Sequence, residues 1–134
     1  MKRCHLDANI VLRFLRNDDP KQSPAARRLI ERAKAGHVVL VLSAVTVAEV
    51  FYAFRTSYKM ARSDAARPLA ALLRSSVFEL ENAARILAPL PTVATMNVDF
   101  GDAYLAVTAA EAGDSIATFD QDFKKFPQVD LYAL

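Results

Sequence analysis

The sequence predicts an α/β fold with a mostly parallel sheet. Three observations lead there. Short runs of β-branched or leucine residues, above all His37–Leu42, read as strands buried on both faces. Stretches with apolar residues three and four apart alternate with them and read as helices. Two junctions share one grammar: Ala33-Lys34-Ala35-Gly36 before His37-Val38-Val39-Leu40, and Ala110-Glu111-Ala112-Gly113 before Asp114-Ser115-Ile116-Ala117. Each looks like a helix closed by a glycine and followed by a buried strand. Strands separated by helical crossovers run parallel in one sheet.

Taken in order, Cys4-His5-Leu6 ends a short buried strand. Ala8–Arg16 places Ile10, Val11, Phe14 and Leu15 on one helix face. Asp18-Asp19-Pro20 is a turn, and Ser23-Pro24 is expected to cap and open the next helix. After the His37–Leu42 strand, Ser43 or Thr46 caps a helix that runs to about Tyr58. Asp64–Arg74 is helical through Leu69, Leu72 and Leu73. Val77-Phe78 suggests a short strand and Glu81–Leu90 a helix, which Pro89 and Pro91 should kink or end. Asp99–Gly113 is the last long helix, Ser115–Phe119 a strand, and Val129–Tyr132 a final short strand.

The 134 residues suit a single domain, 1–134, with 53% hydrophobic and 24% charged residues in a globular balance. Three glycines leave no room for a Walker or dinucleotide-binding loop. One cysteine, Cys4, excludes an internal disulfide framework and fits a reducing compartment. The longest weakly charged stretch, Val38–Phe54, contains Ser43, Thr46 and Glu49 and changes period midway, so no membrane span is expected and the location expected is cytoplasmic. Net charge is +2, but residues 1–98 carry +7 and residues 99–134 carry −5. Such asymmetry fits either solvated helix faces or a phosphate-contacting surface around an acidic centre.

Four acids occupy places where acids are costly. Asp7 follows the first strand, at the carboxyl end where ligands bind in open parallel sheets, and it also suits a helix N-cap. Glu49 is the only charge between Val38 and Phe54, on a helix apolar on nearly every side, so a buried carboxylate is expected there. Asp102 shares a helix face with Leu105, Ala106 and Ala109, with Asp99 as the N-cap. Asp120 follows Ile116-Ala117-Thr118-Phe119, and Asp122 comes two residues later, in a segment that a polar turn also explains. If one end of the sheet gathers these carboxylates, they repel by about 4 kcal/mol per pair at 4 Å and an effective dielectric of 20. Such a cluster binds protons or cations. Oxygen ligands favour Mg²⁺ or Mn²⁺ over zinc, and His5 and His37 lack zinc spacing.

Four ordered segments complete the pattern: Leu6–Leu15 (LDANIVLRFL), Ser43–Tyr52 (SAVTVAEVFY), Asp99–Ala106 (DFGDAYLA) and Thr118–Phe123 (TFDQDF). In these the chain resembles the PIN-domain family, and within it the VapC-type toxin ribonucleases. The resemblance implies a PIN-like three-layer sandwich, a central parallel sheet of four or five strands flanked by helices. It implies that Asp7, Glu49, Asp102 and Asp120 are catalytic acids that hold one or two Mg²⁺ or Mn²⁺ ions, with Asp99 an auxiliary ligand. Asn9, Ser43, Thr118 and Asp122 would orient carboxylates or water. Arg13, Arg16, Arg55 and Lys59 would hold the RNA backbone. Ala8 stands where the family often has Thr or Ser, and Gly101 where it more often has Ala. Pro89 and Pro91 interrupt the approach to the third segment, and an unusual loop is expected before Asp99.

The expected activity is metal-dependent endoribonuclease cleavage, as the toxin of a type II toxin–antitoxin system, with an RNA substrate, a cognate antitoxin and a homodimer as partners. A non-catalytic PIN-like scaffold that binds RNA or protein is the alternative. A phosphoacceptor receiver domain fits poorly, because the chain lacks paired acids after an early strand and a lysine after the last one.

Overall fold

The computed structural model describes residues 1–134. Five short strands and seven α-helices alternate along the chain. The strands are β1 (Lys2–His5), β2 (Val38–Leu42), β3 (Phe78–Leu80), β4 (Ser115–Ile116) and β5 (Asp130–Leu131). The helices are α1 (Ala8–Arg16), α2 (Gln22–Lys34), α3 (Ala44–Thr56), α4 (Arg62–Arg74), α5 (Ala83–Leu87), α6 (Pro89–Met96) and α7 (Phe100–Ala112). Every ladder is parallel, as the alternation requires. The strands form two sheets rather than one: β1-β2-β3, with β2 central, and β4-β5.

Strand β2 carries the architecture. Leu40, Val41 and Leu42 are fully buried, which is why its sequence is an unbroken apolar run. In register Cys4 faces Leu40 and Leu40 faces Phe78. A core of 29 buried residues extends from Leu6 to Val129 and includes residues of all seven helices. Phe51 and Phe100 join α3 to α7 across it, ring centres 6.5 Å apart.

Local chemistry sets most boundaries. The Ser43 hydroxyl accepts the Thr46 amide at 3.2 Å and caps α3. Thr46 then donates its own hydroxyl to the Leu6 carbonyl at 3.0 Å, which ties the start of α3 to the end of β1. Gly113 closes α7 at φ 72°, a left-handed conformation that suits glycine. Helix α2 opens differently from expectation. Its entry is held by Asp19 Oδ1, which accepts the Lys21 and Gln22 amides, while Ser23 lies buried inside the first turn and accepts the Asp19 amide. The helix before the prolines ends as expected, with α5 stopping at Leu87. Pro89 does not lead into a loop. It opens a separate helix, α6, at a position where its missing N–H costs nothing.

Two expectations are corrected by burial and extent. Helix α3 is not buried all round. Val47, Val50, Phe51 and Phe54 face the core, whereas Val45 is 67% and Tyr52 69% exposed, and Glu49 between them is exposed as well. These three, spaced four and three residues apart, form one outward stripe. Strand β4 stops at Ile116, so Phe119 is 88% exposed and Asp120 lies four residues beyond the strand. No helix is long and apolar enough to cross a membrane.

Replacing Ser43 by Ala removes the α3 cap. It should lower unfolding stability by about 1 kcal/mol in a urea titration. The m-value should stay unchanged, because the surface exposed on unfolding is the same.

Candidate functional site

Three carboxylates converge. One ligand oxygen from each of Asp102, Asp120 and Asp122 lies within 4.8 Å of the others. Asp102 stands in the first turn of α7, whose N-cap is Asp99. Asp120 caps a 3-10 helix over Gln121–Lys125, and its Oδ1 accepts the Asp122 amide at 2.9 Å. Thr118 Oγ1 accepts the Asp120 amide at 2.9 Å and fixes the backbone on the other side. Thus the Thr-Phe-Asp-Gln-Asp order does geometric work. Asp120 uses one oxygen to wind the turn that brings Asp122 beside it.

The trio carries electrostatic strain. Burial, followed by the charges of Asp120, Asp99 and Asp122, pushes the Asp102 carboxyl above the usual aspartate range. Arg62 pulls it the other way. Arg62, from the start of α4, donates through Nε to Asp99 Oδ1 at 2.9 Å. That bond chiefly raises its own pKa, and the charges of Asp99, Asp122 and Asp102 add to it. Arg55 Nε approaches the same Asp99 oxygen at 3.9 Å, while its Nη1 donates to the Met60 carbonyl at 2.7 Å. Asp99 is therefore held between two guanidinium groups. Only Asp122 of the trio has an ion pair, with Lys125 Nζ at 3.3 Å.

The other residues singled out in the sequence are placed as follows. Asp7 sits at the N-cap of α1 but makes no capping bond, so its exposed carboxylate is free. With Asn9 it lines a cavity of about 390 Å³ shared with Arg13 and Gln22. Neither Asp7 nor Glu49 belongs to the close trio. Glu49 lies on the outward stripe of α3 and makes no ion pair, so solvent rather than burial surrounds it. Ser43 caps α3. The Arg13 guanidinium is engaged by Asp18 at 3.1 Å, Gln22 at 3.1 Å and the Tyr58 hydroxyl at 3.4 Å. Arg16 lies 4.8 Å above the Tyr58 ring. Lys59 is exposed, at φ 54°, with no hydrogen bond or ion pair.

Two residues matter more here than the sequence suggested. Asp122, expected to orient other groups, stands among the converging carboxylates. Arg62, seen only as one of several basic residues, is the cation beside them. An Asp-x-Asp pair entering a short turn carried the first signal. Nothing local to Arg62 carried the second, since its partner is 37 residues away.

The donor set fits a hard divalent cation. All three ligands are carboxylate oxygens, which suit Mg²⁺ or Mn²⁺ rather than a softer metal. Their 4.8 Å spread is close to the roughly 4.2 Å that spans an octahedral site with bonds of about 2.1 Å. A family model described as PIN domain matches residues 5–129, nearly the whole chain. A search of curated proteins finds no match.

The raised Asp102 pKa fixes the sign of a pH effect. An aspartate whose folded pKa lies above its unfolded value subtracts stability once pH exceeds the folded pKa, and no penalty remains below the unfolded value of about 3.9. In EDTA at pH 7, Asp102→Asn should melt above the wild type. The gap should close as pH falls below about 3.9. Added Mg²⁺ should raise the wild-type melting temperature more than that of the variant.

Proposed function

The chain belongs to the PIN domain family, and from that premise we propose that it is a Mg²⁺- or Mn²⁺-dependent endoribonuclease, the toxin of a type II toxin–antitoxin system. PIN domains are in general metal-dependent nucleases, which makes the chain a hydrolase at the coarse level. The observation that carries the finer reading is the convergence of Asp102, Asp120 and Asp122 beside Arg62. Opposed carboxylates left without a cation would be a standing cost to the fold, and a scaffold has no use for that arrangement.

In this reading Asp102, Asp120 and Asp122 would hold the ion, with Asp7 and Glu49 as the further acids of the set. When bound, the ion supplies a nucleophile from water at neutral pH and neutralises charge on the phosphodiester. The chain's own residues do the rest. Asp120 holds Asp122 in place through its amide, and Thr118 holds Asp120. Arg62 restrains Asp99, so that Asp99 acts as an electrostatic neighbour of the trio and turns its charge toward the guanidinium pair. The burial and neighbouring charges that raise the Asp102 pKa make its ionised form the one that gains most from a bound cation. Lys59, exposed and free of internal partners, and the exposed Arg16 would meet RNA phosphates. A cognate antitoxin and a second copy of the chain are the expected protein partners.

Total RNA incubated with the protein tests this directly. Cutting is expected with Mg²⁺ or Mn²⁺ and none with EDTA. Asp102→Asn and Asp120→Asn should each slow it by at least about a hundredfold, in line with loss of a group that holds or moves charge in the transition state. Cutting that survives both substitutions would sink the assignment, as would intact RNA from a folded protein that binds no metal. Lys59→Ala should weaken RNA binding evenly across sequences and reduce the salt slope by about 1.

A further inference from the structure

We propose that the cavity between α3 and the start of α7 is a base subsite: it receives one unpaired nucleobase of the RNA strand whose backbone passes the carboxylate trio. This rests on the nuclease reading above and adds a recognition element to it.

The cavity measures about 450 Å³, within the range of roughly 300–1,000 Å³ typical of ligand sites. Phe51 and Tyr52 form an aromatic wall, and Arg55, Thr56 and Asp99 supply polar groups. The Phe51 ring is buried against Phe100, so that wall is rigid. Tyr52 is 69% exposed at the rim, a large aromatic face that the core does not use. Gly101 completes the lining, and a Cβ built there would meet nothing within 4 Å. The missing side chain therefore leaves open volume that any other residue would begin to fill.

Three features favour a base over other occupants. A flat aromatic face beside a guanidinium is the surface on which unpaired bases stack. Asp99 is bound only through Oδ1, and its Oδ2 takes no hydrogen bond within the chain. A free carboxylate oxygen accepts the N–H groups of a base edge and repels a phosphate. Continuity supplies the third. Asp99 and Gly101 line the cavity at the start of the helix whose first turn carries Asp102, so a base seated here lies beside the converging acids.

The test uses an Asp102→Asn background with Mg²⁺, so that strands are bound and not cut. Fluorescence anisotropy reads the Kd of a labelled single-stranded RNA and of an abasic strand of equal length. Tyr52→Ala removes the stacking face, and Gly101→Leu fills the space. Both sites are tolerant, one exposed and the other free of contacts, so circular dichroism melts should not fall below the background, and Gly101→Leu, within α7, should melt slightly above it. Each substitution should raise the Kd for RNA about tenfold, the scale of one lost base stack, and leave the abasic strand unchanged. Equal RNA affinity in both variants overturns the subsite and leaves the cavity to a protein partner. Equal losses for RNA and abasic strand also overturn it, by showing a backbone effect. Failure of the nuclease reading shows separately, as total RNA left uncut by the wild type in Mg²⁺ or Mn²⁺.

Discussion

Repulsion among carboxylates is the constraint around which this molecule is arranged. Asp102, Asp120 and Asp122 are brought within 4.8 Å of one another, and Asp99 adds a fourth charge nearby. Water alone does not relieve this, because burial is the largest cause of the raised Asp102 pKa. The fold answers with cations from elsewhere in the chain. Arg62 and Arg55 close on Asp99, and Lys125 on Asp122. Those contacts also fix how α3 and α4 meet the start of α7, so the electrostatics of the site and the packing of the helices are one problem. The opposite charges of the two parts of the sequence, +7 and −5, meet at this place.

Much of the architecture was legible because it depends on local rules. The apolar run of β2, the glycine stop at Gly113 and the Ser43 cap are each set by a few adjacent residues. What escaped was decided by tertiary context. The outward stripe Val45, Glu49, Tyr52 looks like core in sequence, since an exposed valine or tyrosine carries no mark of its exposure. The proline pair reads equally as an end or a beginning, and packing of α6 against α4 and α7 selects the beginning. Strand β4 is shorter than its apolar pattern because its ladder has only two registered pairs with β5.

The acids divide along the same line. Asp102 and Asp120 were found by their positions relative to helix start and strand end, and both belong to the trio. Glu49 was singled out by its apolar surroundings in sequence, yet those neighbours point inward while it points out. Asp122 was expected to orient other groups, and its place beside Asp120 depends on the bond that its own amide donates to Asp120 Oδ1. Asp99 was read as an auxiliary ligand from its place in the third segment, and its bond to Arg62, 37 residues and three helices away in sequence, gave no local sign.

That arginine pair has a consequence for how charge is partitioned. An Asp99 free to turn toward the trio would add a fourth carboxylate to a site that already resists ionisation. Held by Arg62 at 2.9 Å, its Oδ1 is turned to the guanidinium while its charge still adds to the repulsion at Asp102. Arg62 meanwhile feels Asp122 and Asp102 as well, so it offsets part of the negative charge before any metal arrives. A divalent cation entering the trio would weaken the hold of those two acids on Arg62 by competing for the same charge. The Asp99–Arg62 bond would then carry more of the restraint on the α4–α7 junction. Arg62 thus links the carboxylate trio to Asp99, which borders the cavity beside α3.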